Sequence, residues 1–260
     1  TPVPELQFSW QDDHAVSTER IGCRPVSDDF ERSETTEWGT IRGWDGPSHP
    51  ASMSLAGGTA HSGARAVELR YAEGARGAGY MFKHFAGQAR AYHRWYQRWS
   101  EGFRFEPSGT GMTGLRPYRG DPQFFAFTHG EPAELTLQAQ VVEEAAWGAL
   151  NYRQNLGDPV RFEPGRWYCL EVMVALNTPG LADGELAAWI DGELKLWHPG
   201  RRFLGLDPSD PAPPHARLES AFIAGHYGGL TLVPQPQQSW HDDHVVSSER
   251  IGCLPPAGTP

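Results

Sequence analysis

The stretch RWYCLEVMVALNTPGLADGELAAWIDGELKLW, Arg166 to Trp197, decides the fold class. Between Trp167 and Ala175, Tyr168, Leu170, Val172 and Val174 alternate with Trp167, Cys169, Glu171 and Met173. A period of two puts successive side chains on opposite faces of a strand, so this segment is expected to be a strand buried on one face. Asn177-Thr178-Pro179-Gly180 and Asp183-Gly184 then interrupt the chain with turn residues. Asp191-Gly192, flanked by Ala187-Ala188-Trp189-Ile190 and Glu193-Leu194-Lys195-Leu196, carries the two-residue type I′ hairpin signal.

The same pattern runs outward from Asp28 to Gly229. It predicts strands at Ala66–Tyr71, Gly79–Phe82, Ala91–Trp99, Gln123–Phe127, Leu135–Val142, Ala149–Gln154, Glu185–Ile190, Glu193–Trp197 and Ser220–Ile223. Ser108–Gly120 reads as a Gly-rich loop and Asp207–Pro214 as a Pro-rich one. Thirty Gly and 22 Pro in 260 residues break the chain too often for long helices. The fold class is therefore all-β, a two-sheet antiparallel β-sandwich of the jelly-roll, concanavalin A-like kind.

Charge narrows the partners. Twenty-two basic against 32 acidic residues give a net charge of −10, which argues against a general nucleic-acid or anionic-membrane surface. No stretch approaches the roughly 20 apolar residues of a membrane span. No charged start with an apolar run follows Thr1, so no signal peptide is read there, and the chain reads as a mature form or a fragment. Only Lys83 and Lys195 are lysines, so cationic work falls to arginine.

The ends of the chain repeat one another. TPVPELQFSWQDDHAVSTERIGCRP at 1–25 matches TLVPQPQQSWHDDHVVSSERIGCLP at 231–255 with 17 identities at a constant offset of 230. The segment reads as a Trp-x-Asp-Asp-His turn, a short strand and a closing Ile-Gly-Cys. This divides the chain into a duplicated closing segment, 1–25, and a single jelly roll, 26–260. One sandwich has one place for its closing strand. Residues 1–25 are then the tail of a preceding unit in a tandem array, a segment that docks on a neighbouring copy, or an edge cover on their own domain. Candidate assembly residues are Trp10, Asp12, Asp13, Val16, Ile21 and Cys23 in the first copy, and Trp240, Ile251 and Cys253 in the second. Cys23, Cys169 and Cys253 are odd in number, leaving at least one free or paired outside the chain. Cys23 and Cys253 could link neighbouring units or pair with each other, or Cys253 could stay unpaired.

Phe162-Glu163-Pro164-Gly165-Arg166-Trp167-Tyr168, followed by Asn177-Thr178-Pro179-Gly180, Asp183-Gly184 and Trp189-Ile190-Asp191-Gly192, resembles a stretch of jelly-roll polysaccharide lyases of the alginate and glucuronan lyase type. Tyr92-His93-Arg94-Trp95-Tyr96 and the loop ending Gly114-Leu115 are similar to that family's strand and GGKLPGL loop, and the Trp-x-Asp-Asp…Ile-Gly ending resembles its closing strand. The resemblance covers about residues 28 to 255. It implies β-elimination on a uronate polymer, which needs a group to offset the carboxylate charge, a base for the C5 proton and an acid for the leaving oxygen. His93, Arg94 and Tyr152 are the catalytic candidates it implies. Tyr92, Arg94, Tyr96 and Arg98 share one strand face and could line a sugar groove, or form a face on which Arg stacks on Tyr. Gln138, Gln140 and Arg153 complete the candidate carbohydrate site.

Three family positions differ. The loop lysine falls on Gly111, the first tyrosine of the YvY pair on Leu150, and the central-strand arginine on Gln138 or Gln140. Substitutes would come from His93, Arg153 or His226-Tyr227. With this erosion and the duplicated end, the primary expectation is an extracellular or cell-surface structural module, a fibre, sheath or adhesin unit that self-associates or adjoins tandem domains and keeps a carbohydrate groove. The alternative is a polysaccharide lyase. The resemblance also implies a structural Ca²⁺ between opening and closing strands, with Glu31, Asp242 and Asp243 as candidate ligands; a solvated acidic turn is the competing reading.

Overall fold

A computed structural model of the chain describes residues 26–28, 30, 41, 43–118, 121–143, 146–207, 209, 213–228 and 231–254. Among them are fourteen strands and no helix: β1 (Val26–Asp28), β2 (Met53–Gly57), β3 (Arg65–Tyr71), β4 (Gly77–Gln88), β5 (Arg90–Trp99), β6 (Thr110–Arg116), β7 (Gln123–His129), β8 (Glu134–Glu143), β9 (Ala146–Arg153), β10 (Trp167–Ala175), β11 (Gly184–Ile190), β12 (Glu193–Arg201), β13 (Leu218–Tyr227) and β14 (Gln237–Ser247). An eight-stranded sheet runs β12-β11-β10-β5-β14-β3-β2, with β1 also paired to β14. A six-stranded sheet runs β4-β13-β6-β7-β8-β9. Every pairing is antiparallel. The architecture is the expected β-sandwich jelly roll.

The core lies between the sheets. Trp95 and Trp99 of β5, Tyr168 and Leu170 of β10, Phe124 of β7 and Ile223 of β13 belong to it, all buried. Each is the inward member of an alternating strand, so the period read from sequence sets the packing directly. The β11–β12 hairpin forms as expected: Asp191 and Gly192 adopt φ of 51° and 85°, the left-handed pair a type I′ turn requires.

β10 departs from expectation because it is buried on both faces. Tyr168, Leu170, Val172 and Val174 face the core, while Cys169, Glu171 and Met173 on the other face are buried as well. The cover on that side includes the chain beyond β14. Ile251 N–H and Gly252 N–H donate to the two Glu171 oxygens at 2.8 and 3.0 Å, and Cys253 is disulfide-bonded to Cys169. That bond resolves the open pairing of Cys253 in favour of an internal partner.

Two other expectations are corrected. The supposed loop at 108–120 contains β6: Gly111 takes φ of 73° where the register against β7 shifts between Thr110 and Thr113, and Gly114 serves sheet packing, since a Cβ there would stand 1.9 Å from the Phe124 carbonyl oxygen of the neighbouring strand. The Trp-x-Asp-Asp-His segment is not a turn either. It lies inside β14, where the register against β5 shifts between Asp242 and Val245 and Asp243 takes φ of 50°, a bulge that re-aims the two carboxylates.

Three histidines are buried within this sheet. His93 of β5 and His244 of β14 meet through Nε2 and Nδ1 at 2.9 Å, against Trp95, with His241 stacked near His244. Burial lowers His93 and His241 from 6.5 to about 3, the second helped by His93, and holds His244 well below 6.5 with Arg94 and Lys83 adding repulsion. Asp242 moves the other way, to about 7, through burial and the adjacent Asp243. Between pH 6.5 and 3 the unfolded chain binds protons that His93 and His241 refuse, so their contribution is present above 6.5 and lost as pH falls. Asp242 contributes below its unfolded value of 3.8 and loses that contribution as pH rises through about 7. Thermal unfolding measured between pH 7 and 4 should show a midpoint that drops with acidification, and His241→Gln should flatten the drop; an unaltered slope would contradict the assignment. Cys169→Ser should cost about 2–4 kcal/mol in denaturant unfolding, since the lost bond closes a separation of 84 residues.

Candidate functional site

The outer face of the six-stranded sheet is built by register. Opposite Phe222 of β13 stand Phe82 of β4 and Gly114 of β6; Gly114 in turn faces Phe125 of β7, which faces Gln138 of β8. One row along, Ser220 faces both His84 and Arg116. On the other side, Ala224 faces Tyr80 and Met112. Because alternate residues share a face, the aromatic row forms a floor between two flanking rows. Phe125, Phe127 and Phe222 with Phe82 and Met112 make an apolar cluster separate from the inter-sheet core.

A cavity of about 540 Å³ opens on this floor, lined by Tyr80, Phe82, His84, Arg116, Tyr118 and Gln123 among others. Its rim is polar. His84 Nε2 lies 2.8 Å from Asp45 Oδ2, its Nδ1 meets Ser220 Oγ, and its ring centroid is 4.7 Å from that of Tyr118. Facing the carboxylate, Nε2 carries the proton. Ser220 is fully buried, whereas the Asp45 side chain is 71% exposed, so it is the Nε2 side of the imidazole that opens to solvent. The Arg116 guanidinium lies 5.3 Å above the Phe82 ring, a placement that leaves its charge beside the cavity. Gln123 Nε2 donates to Asp121 Oδ1 at 3.2 Å. At the far edge, Arg153 Nη2 donates to His129 Nδ1 at 3.1 Å, and burial followed by the Arg153 charge keeps His129 below its ordinary value.

The residues singled out from sequence do not converge here as a set. Gln138, Gln140 and Arg153 lie on the six-stranded sheet, while Tyr92, Arg94, Tyr96 and Arg98 lie on the outer face of the eight-stranded sheet, across the sandwich. His93 and Tyr152 point into the core between them, so His93, Arg94 and Tyr152 cannot meet one substrate. Arg94 is 4% exposed and stacks on Tyr96 at 5.4 Å, the second of the two readings given for that face. Tyr96 is engaged by the chain's own end: its hydroxyl accepts from Leu254 N–H at 2.7 Å, and His61 stacks on its ring. Of the substitutes, His226 and Tyr227 sit at the end of β13, where Tyr227 is buried in the core.

Asp242 and Asp243 are committed to the turn at residues 61–62. His61 N–H donates to Asp242 at 2.8 Å, and the Ser62 hydroxyl donates to Asp243 at 2.6 Å. Burial pushes Asp243 upward, yet the His61 and Ser62 hydrogen bonds outweigh it and hold the group below its usual value. Glu31 lies outside the described residues, and among those described no three His, Cys, Asp or Glu side chains are grouped to hold a metal ion. Trp10, Asp12, Asp13, Val16, Ile21 and Cys23 also lie outside the described residues. Their counterparts serve the sandwich itself: Trp240 lies under Arg98, Ile251 N–H binds Glu171 and Cys253 bonds Cys169.

His84, Arg116 and Tyr118 escaped the reading of the sequence. Their signal was present: Tyr80, Phe82 and His84 continue one alternating face beyond the predicted strand end, and Arg116 and Tyr118 repeat that spacing after Gly114.

The sequence matches no protein-family model and no curated protein. Solved structures with the same fold include the marine PL-14 alginate lyase from Aplysia kurodai, at 14% identity and TM-score 0.58, with 79% of this chain and 90% of that one covered. An alginate lyase double mutant in complex with alginate trisaccharide matches at 13% and 0.61, covering 87% and 98%. The endo-β-1,4-glucuronan lyase from the fungus Trichoderma reesei matches at 12% and 0.55, covering 85% and 94%. The likeness is one of fold, and it agrees with the family resemblance carried by the 162–192 motifs.

Proposed function

We propose that this chain binds a uronate polysaccharide across the outer face of the six-stranded sheet and cleaves it by β-elimination. The observation that carries this reading is the convergence of Arg116, Tyr118 and His84 on one cavity with an aromatic floor. Pyranose rings stack on aromatic faces, and a uronate adds a carboxylate that a guanidinium can pair with. In the proposed step, Arg116 offsets the carboxylate charge and so acidifies the C5 proton. Substrate displaces the exposed Asp45 carboxylate from His84 Nε2 and releases the proton held there, and the neutral imidazole, donating Nδ1–H to Ser220 Oγ, takes the C5 proton on Nε2 as the C4–O4 bond breaks and C4=C5 forms. The Tyr118 hydroxyl gives its proton to the departing O4, and the proton then passes from the imidazolium to the phenolate, restoring both groups. The similar folds of alginate and glucuronan lyases support carbohydrate chemistry over a fibre or sheath unit as the role of the sandwich. The Cys169–Cys253 bond fits an extracellular or cell-surface setting, where disulfides persist.

A second reading, polysaccharide binding without cleavage, is favoured by the apolar middle of the face, where Phe125 and Phe222 stand. Incubation with alginate, glucuronan and other uronate polymers, read by ultraviolet absorbance of the unsaturated product, separates the two. Cleavage should appear and fall about 10²-fold or more in Tyr118→Phe and His84→Ala, and about 10²–10³-fold in Arg116→Ala, with unchanged thermal unfolding. Retardation in polysaccharide-containing gels without any product would leave only the binding reading.

A further inference from the structure

β14 and the chain after it fill a defined slot. β14 hydrogen-bonds to β5 on one side and to β3 on the other, in the middle of the eight-stranded sheet. Its specific contacts are few and identifiable. Asp242 and Asp243 receive the 61–62 turn, His244 meets His93, Arg250 lies 4.8 Å above the Trp189 ring and donates to Gly192 O, Gly252 turns at φ of 75°, and Cys253 bonds Cys169. At an offset of 230, residues 1–25 carry the same groups as Asp12, Asp13, His14, Arg20, Gly22 and Cys23.

The differences between the two copies follow burial. Over 231–254 the copies differ at Leu232, Gln235, Pro236, Gln238, His241, Val245, Ser248 and Leu254, and of these only His241 is buried. The other buried positions, Val233, Gln237, Ser239, Asp242, Asp243, His244 and Val246, are all identical in the first copy. A duplicate with no slot to fill would change at inward and outward positions alike. One constrained by the same packing would change chiefly where side chains reach solvent, as seven of the eight differences do, Gln11 at the position of buried His241 being the exception.

We propose that residues 1–25 are a second closing segment that fills the slot between β3 and β5 of another copy of this jelly roll, with Cys23 forming there the disulfide that Cys253 forms with Cys169. Every copy carries its own 231–254 in that slot, so residues 1–25 enter a second copy by taking the place of that copy's own closing segment. Only Arg24 and Pro25 separate Cys23 from β1, which itself pairs with β14, so units joined this way follow one another with almost no linker.

The test uses the full chain with Cys253→Ser, which frees Cys169 while keeping both closing segments. The protein is unfolded and refolded in a buffer of reduced and oxidised glutathione, whose disulfide oxidises the two thiols to one protein disulfide and is itself reduced. Tryptic mapping of the covalent multimers separated on a non-reducing gel should recover a Cys23–Cys169 peptide pair between chains, and Asp12→Ala/Asp13→Ala added to Cys253→Ser should abolish it; a pair found only in monomeric chains would overturn the proposal. Recovery of Cys23 and Cys169 only as free thiols or glutathione adducts would overturn the proposal. A linked pair that survives the Asp12/Asp13 changes would overturn it too, because it would report chance thiol encounter rather than seating in the slot.

Discussion

The seating of β14 between β3 and β5 is the constraint on which the sandwich depends. It joins the β2-β3 edge to the β5-β10-β11-β12 block, and without it the eight-stranded sheet falls into two pieces with unpaired backbone along both. The bulge at Asp242–Val245 lets one strand serve two faces. Its carboxylates turn outward to the 61–62 turn, while His241, His244 and Val246 are buried with the core histidine and Trp95. The tail beyond β14 then seals the outer face of β10 through Glu171 and Cys169. That removes the part of the face around Tyr96 and Arg94 from ligand chemistry; farther along the same sheet Tyr92, Trp189 and Trp197 line an open cavity of about 420 Å³, but no imidazole lines it to join a guanidinium and a phenol as His84 does over the larger one on the opposite sheet.

On that sheet, position follows from register. Ser220 opposite both His84 and Arg116 brings an imidazole and a guanidinium into one row on the two strands that flank β13, though the two are 32 residues apart in sequence, as 116 and 84 show. The small Ala224 and Gly114 leave room over the floor, where a larger side chain would fill it. Gly114 is required for a second reason, the close approach of the Phe124 carbonyl.

Much of the fold was legible because alternation and turn chemistry are local. Trp167–Ala175 emerges with its predicted bounds and Asp191-Gly192 turns between β11 and β12 as expected, since nothing distant is needed to set them, whereas β12 runs on from the predicted Trp197 to Arg201. β6 was hidden because glycine in a strand looks like glycine in a turn until its neighbour is known. The two-sided burial of β10 was hidden for the same reason: its cover comes from residues about 80 positions away, as the 84-residue disulfide span shows. The site suffered most from this. Tyr92, Arg94, Tyr96 and Arg98 were rightly placed on one face, but whether that face meets solvent or the chain's own end is a tertiary fact. His93 and Tyr152 are chemically suitable residues that alternation turns inward.

The central claim is that carbohydrate engages the six-stranded sheet and not the eight-stranded one. Backbone hydrogen–deuterium exchange of the intact chain, with and without a uronate oligosaccharide, tests it most directly. The account predicts added protection in β4 around Tyr80–His84 and in the segment 112–118, with β5 and β10 unaffected. Protection centred on Tyr92 and Trp189, or none on either sheet, would contradict it.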